Sequence, residues 1–82
     1  MSKRINPVRL GTLWKIVRNR LVIKCERNPR IRVKVYDSSL REVGEIVNIF
    51  GPVIQPFAEV EQINPGNRYV GEVFYIIEKT ER

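Results

Sequence analysis

The sequence predicts an all-β chain that folds as a small six-stranded β-barrel. Short segments rich in β-branched and aromatic residues alternate apolar with polar side chains, which is the pattern of half-buried strands. Turn-forming residues separate these segments at intervals of roughly 8–12 residues, a spacing typical of small barrels. The composition, 43% apolar and 29% charged residues, is that of a folded globular domain.

One domain, residues 1–82, is expected, because 82 residues are too few for two cores. The segments 1–7 and 79–82 are polar, so we expect both ends to fray. A core of this size leaves little room for a deep substrate cavity. An elaborate enzyme acting on a small molecule is therefore not expected.

Two structures compete for the amino-terminal third of the chain. Apolar residues recur at helical spacing between Leu13 and Leu21, which allows an amphipathic helix over residues 12–22. The alternative is a hairpin that turns at residues 18–20, and we favour it because β-branched residues are dense here and every later element is a strand. The hairpin would place Val8, Leu10, Thr12, Trp14 and Ile16 on one face of its first strand, with Leu21, Ile23 and Cys25 on the inner face of its second.

The next two elements predict a second hairpin. Residues 31–36 (IRVKVY) alternate, with the three apolar residues on one strand face and Arg32 and Lys34 on the other. Asp37-Ser38-Ser39 supplies a turn, because Asp and Ser side chains bond to the nearby backbone. Residues 43–50 return as the partner strand.

Two further strands complete the six. Residues 58–62 alternate again, which predicts an outward face carrying Glu59 and Glu61. The turn Asn64-Pro65-Gly66-Asn67 follows, and residues 71–78 form a last strand rich in aromatic and β-branched residues.

Charge is unevenly divided along the chain, although the net formal charge is +6. Residues 1–41 hold twelve basic and two acidic residues, a net charge of +10, whereas residues 42–82 hold three basic and seven acidic, a net charge of −4. The basic half predicts either attraction to RNA phosphates or a solvated surface rich in ion pairs, and charge alone does not separate the two. The candidates for RNA-proximal cations are Arg27, Arg30, Arg32 and Lys34.

The chain has one cysteine, Cys25, and no histidine. An internal disulfide and a Cys/His zinc site are therefore excluded, so we expect a reducing compartment and no metal. No apolar run approaches 18 residues, and the basic amino terminus is not followed by an apolar signal segment. We therefore expect a soluble intracellular, cytoplasmic protein with no membrane partner.

No catalytic constellation stands out in the sequence. Glu59 and Glu61 lie two residues apart, but their alternation with apolar residues predicts a solvent-facing row. Cys25 has basic neighbours, yet it shares the predicted inner face of its strand, which favours a buried structural thiol. No Walker loop, dinucleotide-binding glycine motif or nucleophile elbow is present. We expect a protein that is not an enzyme and needs no cofactor.

Residues 44–57 form an apolar stretch that exceeds what so small a core needs. Strand parity places Val47 and Ile49 on one face and Ile46 and Phe50 on the other. One of these two pairs is therefore expected to face away from the interior.

The end of this stretch predicts an ordered surface loop. Pro52 and Pro56 restrict the backbone, and a loop that is ordered in advance loses less entropy on binding. Phe57 has the outward parity of the glutamates that follow it. The loop either caps an open end of the barrel or forms a protein-docking surface, and we favour docking because exposed apolar patches mark interaction sites.

These residues resemble a known family, the archaeal GAR-type accessory protein of the box H/ACA ribonucleoprotein, the RNA-guided pseudouridylation particle. The resemblance rests chiefly on V-G-E-I-V-N-I-F-G-P-V-I-Q-P-F at residues 43–57. It extends to Asn28-Pro29-Arg30-Ile31, to Val35-Tyr36-Asp37 and to Y-V-G-E-V-F-Y at residues 69–75, so it spans nearly the whole chain. Its most specific part is the run I-F-G-P-V-x-x-P-[YF].

The resemblance implies a non-catalytic six-stranded β-barrel that docks on the catalytic subunit of the pseudouridine synthase. It further implies an influence on a mobile synthase loop that holds substrate RNA, which assists substrate loading and product release in rRNA pseudouridylation and ribosome biogenesis. Guide and substrate RNA would be met mainly through the complex. Carried onto this chain, the implied docking residues are Val47, Ile49, Phe50, Gly51, Pro52, Val53, Pro56, Phe57 and, less directly, Tyr75.

Two departures from the family pattern are visible. Position 57 is Phe where the family is associated with Tyr, so a hydrogen bond from that hydroxyl is lost while ring packing is kept. The glycine-arginine-rich tails of eukaryotic members are not found, so RNA binding through such tails is not expected. The alternative function is a free-standing basic RNA-binding β-barrel in which Trp14 or Tyr36 stacks on bases.

Overall fold

The chain folds as a closed barrel of six antiparallel strands, which confirms the predicted fold class. The computed structural model describes the backbone of residues 4–80 and the side chains of residues 6–78. The strands are β1 (Arg4–Val17), β2 (Arg20–Cys25), β3 (Lys34–Tyr36), β4 (Glu42–Phe50), β5 (Phe57–Gln62) and β6 (Val73–Thr80). Their order around the barrel is β1-β2-β5-β4-β3-β6, and β6 closes against β1. Within this part of the chain there is no helix, and hence none that is long and apolar enough to cross a membrane.

The amino-terminal third is the predicted hairpin, and the alternative helix over residues 12–22 is wrong. Its turn is made by Arg18 and Asn19, with Arg18 in the left-handed region at φ 58°. The predicted single face of β1 is also wrong, because register shifts interrupt the strand between Arg9 and Gly11 and between Leu13 and Lys15. Each extra residue at a bulge reverses the face of the residues that follow it.

These bulges decide which side chains of β1 enter the core. Leu10 and Leu13 are buried, whereas Trp14 and Ile16, which parity placed beside Leu10, lie exposed. On β2, by contrast, Leu21, Ile23 and Cys25 line the interior as predicted, because that strand runs without a bulge against β5.

The second hairpin forms, but its first strand is shorter than predicted. Only residues 34–36 of the expected strand 31–36 are regular, and Ile31 is exposed in a turn. Arg32 takes a left-handed φ of 78°, which breaks the extended backbone. The segment still follows β4, since the Arg32 N–H donates to the Ile46 carbonyl at 2.7 Å. The predicted Asp37 turn is present, with its carboxylate accepting from the Ser39 and Arg41 N–H groups.

A further bulge in β4 corrects the expected parity of the apolar stretch. The register against β5 shifts between Ile46 and Asn48, so Val47 is the extra residue. Ile46 is therefore buried and Ile49 packs against the core, although they were expected on opposite faces. Phe50 falls on the outer face, in register with Phe57 of β5. The expectation that Val47 and Ile49 share a face, opposite Ile46 and Phe50, is therefore wrong.

The barrel interior is a single apolar cluster to which all six strands contribute. Its buried members are Leu10, Leu13, Leu21, Ile23, Cys25, Val35, Val43, Ile46, Ala58, Val60, Phe74 and Ile76. Gly44 permits the close approach of two strands, because a Cβ at this position would clash with the backbone carbonyl of Glu61. The small interior is thus filled by side chains.

Strand pairing continues into the ends that were expected to fray. Residues 4–7 of β1 pair with residues 77–80 of β6. Residues 1–3 and 81–82, the rest of those two segments, lie outside the described residues. The last strand begins at Val73 rather than at Gly71, which takes a φ of 96° in the preceding turn.

A partly buried ionic cluster holds the long 63–72 loop against the β3–β4 turn. The Arg68 guanidinium lies 2.7 Å from the Glu72 carboxylate and 3.9 Å from that of Asp37, and the three side chains are at most 16% exposed. Arg68 also lies over the ring of Phe74, with its Cζ atom 5.6 Å from the ring centroid. This cluster was not anticipated from the sequence, where Arg68 is an isolated cation.

Replacing Arg68 by Met is expected to lower the free energy of unfolding by about 2 kcal/mol, because two partly buried carboxylates lose their counter-ion. Urea unfolding followed by tryptophan fluorescence measures the change. The matched control is Arg41→Met, an exposed cation that makes no ion pair among the described side chains, with an expected change within about 0.5 kcal/mol. Equal effects of the two substitutions would contradict a structural role for the cluster.

Candidate protein-docking surface

Residues 51–56, which we call the apolar loop, are held in one conformation by their own backbone and by β2. Gly51 takes a φ of 95°, and the Gln55 N–H donates to the Pro52 carbonyl at 3.0 Å to close a turn. The Gln55 side-chain amide donates to the Cys25 carbonyl at 2.9 Å and to the Pro56 carbonyl at 3.3 Å. A glycine is needed at 51 because other residues rarely adopt this φ.

The apex of the apolar loop projects two aliphatic side chains into solvent. Val53 is 83% exposed and Ile54 is 93% exposed, whereas Pro56 is buried. The loop therefore does not cap the barrel with its apex. Only its last residue is buried.

Three aromatic side chains lie beside the loop on the outer face of the barrel, and we call them the aromatic row. The ring centroids of Trp14 and Phe57 are 5.0 Å apart with a tilted geometry, and those of Phe50 and Phe57 are 5.6 Å apart and stacked. Phe57 is in the middle, and a Cβ on Gly51 would stand 3.0 Å from its ring. These contacts are within the range of favourable aromatic pairs.

Strand register shows what surrounds the aromatic row. One row of cross-strand partners runs from Phe50 through Phe57 and Lys24 to Thr12. The neighbouring row runs from Asn48 through Glu59 and Val22 to Lys15. Lys24 and Lys15 therefore flank the aromatic side chains, and the Lys15 Nζ atom lies 4.8 Å from the Trp14 ring centroid.

Val22 shows that the outer face is itself packed. It lies between the inward residues Leu21 and Ile23 on β2, and it is not part of the interior cluster, yet it is only 4% exposed. An outward side chain can be buried to this extent only under other side chains of the outer face. The outer face of the barrel thus carries packed side chains next to the aromatic row.

The predicted docking residues separate into two groups. The outer face and the apolar loop bring together Phe50, Gly51, Pro52, Val53 and Phe57, all at least partly exposed. Val47 and Ile49 are half-buried in β4, and Pro56 is buried. Tyr75 lies on β6, which is three strands away from β5 in either direction around the barrel, so it is not brought to this surface.

Trp14 is the member of this surface that the sequence placed wrongly. Parity placed it on the same face of β1 as Leu10, which is buried, and the bulge that turns it to the outer face has no evident signal in the sequence, where the flanking residues are ordinary strand formers. Its position next to Phe57 depends on strands that are far apart along the chain.

Five of the ten described cations in the basic half of the chain form ion pairs with carboxylates. Three of the four predicted RNA-proximal cations form ion pairs, Arg27 with Glu78, Arg32 with Glu45, and Lys34 with Glu42. Arg30 has no ion pair among the described side chains. The halves do not separate into a basic and an acidic face, because antiparallel pairing places β2 beside β5 and β3 beside β4.

The two carboxylates of β5, Glu59 and Glu61, have structural surroundings. Glu59 accepts from Arg20 at 3.1 Å and from Asn48 at 3.3 Å, while Glu61 is exposed. Both lie on the outer face of β5, as predicted. Within the described part of the chain, no group of three or more His, Cys, Asp or Glu side chains is placed so that it could hold a metal ion.

A comparison of the chain with known protein-family models and with curated proteins found no match.

Cys25 connects the apolar loop to the core. Its thiol is buried, its N–H donates to the Pro56 carbonyl at 2.9 Å, and its carbonyl accepts from Gln55. Burial raises the pKa of the Cys25 thiol from 9.0 to about 11, an effect only partly offset by a hydrogen bond from the Ala58 backbone. The thiol is therefore protonated and unreactive at neutral pH.

Cys25→Ala is expected to lower the free energy of unfolding by about 1 kcal/mol at neutral pH, through loss of buried sulfur contacts. The folded state holds the thiol proton more tightly than the unfolded state does, so this contribution is complete below pH 9 and is lost as the pH rises through about 11. Urea unfolding of both proteins at several pH values measures the difference. A difference that stays constant across this interval would contradict the burial of the thiol.

Proposed function

We propose that this chain is a non-catalytic subunit of a box H/ACA ribonucleoprotein that docks on the catalytic subunit of the pseudouridine synthase. Docked there, it assists the loading of substrate RNA and the release of product in rRNA pseudouridylation, and thereby ribosome biogenesis. The observation that carries the proposal is an ordered apolar loop with an exposed apex, continuous with the aromatic row. Apart from Trp14, these residues belong to the run 43–57 on which the resemblance to the GAR-type accessory proteins chiefly rests.

The physical properties of the loop suit protein docking. Val53 and Ile54 expose aliphatic surface that gains free energy when it leaves water, by about 25 cal/mol per Å². The turn closed by Gln55 and the amide bond to Cys25 fix the loop before binding, so little conformational entropy is lost on association. Phe50 and Phe57 supply the aromatic surface that is common at the centres of interfaces.

The alternative is an RNA-binding barrel that acts alone, and one observation favours it. Trp14, Phe57 and Phe50 lie together rather than scattered, and Lys15 and Lys24 beside them have no carboxylate partner among the described side chains. Base stacking, however, needs free ring faces. Phe57 contacts both of the other rings, and Lys15 lies over Trp14, so less ring surface is free for bases and the row suits apolar contact better than base stacking.

Size-exclusion chromatography of the protein mixed with its cognate synthase subunit tests the proposal. Co-elution at micromolar concentration is expected. A salt titration of RNA binding by the isolated protein tests the alternative, because tight binding that weakens steeply with salt is typical of phosphate contacts. RNA binding of that kind without co-elution would replace the proposal by the alternative.

Ile54→Asp is expected to weaken the synthase complex by about 2 kcal/mol or more, because a charge would be buried in an apolar contact. The change should not affect folding, since Ile54 is 93% exposed. The matched control is Ile63→Asp, which alters a 56% exposed isoleucine at the other end of β5. Calorimetric titration of both variants with the synthase measures the effect, and equal losses of affinity would remove the loop from the interface.

Phe57→Ala is expected to weaken the same complex by about 1–3 kcal/mol, as for a buried aromatic anchor. The change also removes the ring contacts to Trp14 and Phe50, so thermal unfolding of the isolated protein is measured alongside. A variant that remains folded and binds the synthase with unchanged affinity would exclude the aromatic row from docking.

A further inference from the structure

A groove of about 680 Å³ lies between the apolar loop, the middle of β1, and the end of β2 with the residues that follow it. Val53 and Ile54 line its apolar side, and Lys24, Glu26 and Arg27 line its polar side. Gln55 spans the two sides, since its side-chain amide donates to the Cys25 carbonyl. The groove therefore has walls of opposite character and a shape set by hydrogen bonds.

The groove carries an excess of positive charge that the protein does not neutralise. Arg9 in its wall is paired with Glu26 at 3.0 Å, and Arg27 is paired with Glu78 at 3.4 Å. Lys24 is exposed and has no carboxylate partner among the described side chains. A negatively charged ligand group next to Lys24 would neutralise this unpaired positive charge.

The charged and apolar side chains that line the groove favour one class of ligand. An RNA strand would need several unpaired cations, whereas Lys24 is the one cation without an ion pair among the described side chains that line the groove. An extended peptide presents alternate side chains to opposite sides. A carboxylate can then face Lys24 while an apolar side chain packs on Val53 and Ile54.

The groove is continuous with the surface proposed to dock. Lys24 lines the groove and is also the cross-strand partner of Phe57 in the aromatic row. Val53 likewise belongs to both the groove and the apolar loop. A protein bound on the aromatic row would therefore place its next segment at the mouth of the groove.

We infer that this groove binds an extended segment of the docking partner in which acidic and apolar residues alternate, with Lys24 receiving a carboxylate. The inference rests on the proposed function for the identity of the partner. The chemistry of the groove, however, can be tested without that partner.

The first experiment uses two synthetic peptides of about eight residues, long enough to span roughly 26 Å when extended. In one peptide Glu alternates with Leu, and in the other Gln alternates with Leu. Fluorescence anisotropy at about 0.05 M salt is expected to show the Glu peptide binding the isolated protein about fivefold more tightly, the upper range for one exposed charge pair. The preference should disappear in Lys24→Met and persist in the control Arg41→Met. Equal binding of both peptides, or an unchanged preference in Lys24→Met, would overturn the inference.

The second experiment separates this inference from the proposed function. If the wild-type protein binds its synthase, Lys24→Met should weaken that complex about fivefold at about 0.05 M salt and less than twofold at about 0.5 M. Binding that is equal to wild type at both salts would overturn the inference and leave the docking proposal intact. If the synthase does not bind at all, the docking proposal fails, and the peptide preference still decides the chemistry of the groove. Lys24-dependent binding of an oligouridine that the Glu peptide cannot displace would assign the groove to RNA and overturn the inference.

Discussion

The geometry of this barrel depends on one strand that must bend to pair on both of its edges. β1 is 14 residues long, and it pairs with β6 along its first part and with β2 along its last part. A regular strand of that length would run past its short neighbours, and the two bulges allow it to curve around the closed sheet. Each bulge also reverses the face of the residues that follow, which places Leu10 and Leu13 inside and Trp14 outside. Core and external surface are therefore set by the same backbone feature.

The external surface follows from that bend. Trp14 reaches Phe57 only because the bulge turns it outward, and Phe57 reaches Phe50 because β4 contains a bulge of its own at Val47. The apolar loop then begins at the end of β4 with a left-handed glycine and returns into β5 under the restraint of Gln55. An ordered apolar projection next to an aromatic layer is the combination that supports docking on a protein, and its attachment to Cys25 connects it to the buried core.

The distribution of charge along the sequence differs from its distribution on the folded surface, because strand pairing brings opposite charges together. A chain with +10 in one half and −4 in the other suggested an RNA-binding face. Antiparallel pairing instead sets Arg20 beside Glu59, Arg32 beside Glu45 and Lys34 beside Glu42. Of the eleven described cations, the five that make no ion pair are Lys15, Arg18, Lys24, Arg30 and Arg41. Two of these five, Lys15 and Lys24, flank the aromatic row, so some unpaired positive charge lies beside the surface where a partner is proposed to bind.

The sequence by itself determined the all-β class, the number of strands, the turn positions and the apolar loop, because alternation and turn residues act over a few neighbouring positions. It also determined the outward parity of Phe57 and the inner face of β2, since those strands are regular. Only the tertiary structure decided the faces of β1 and β4, the shortening of β3 and the ion pair of Arg68 with Asp37. Bulges and left-handed residues arise where a strand must meet the curvature of a closed sheet, and that requirement comes from partners distant in sequence. The position of Trp14 in the candidate site could not be predicted for the same reason.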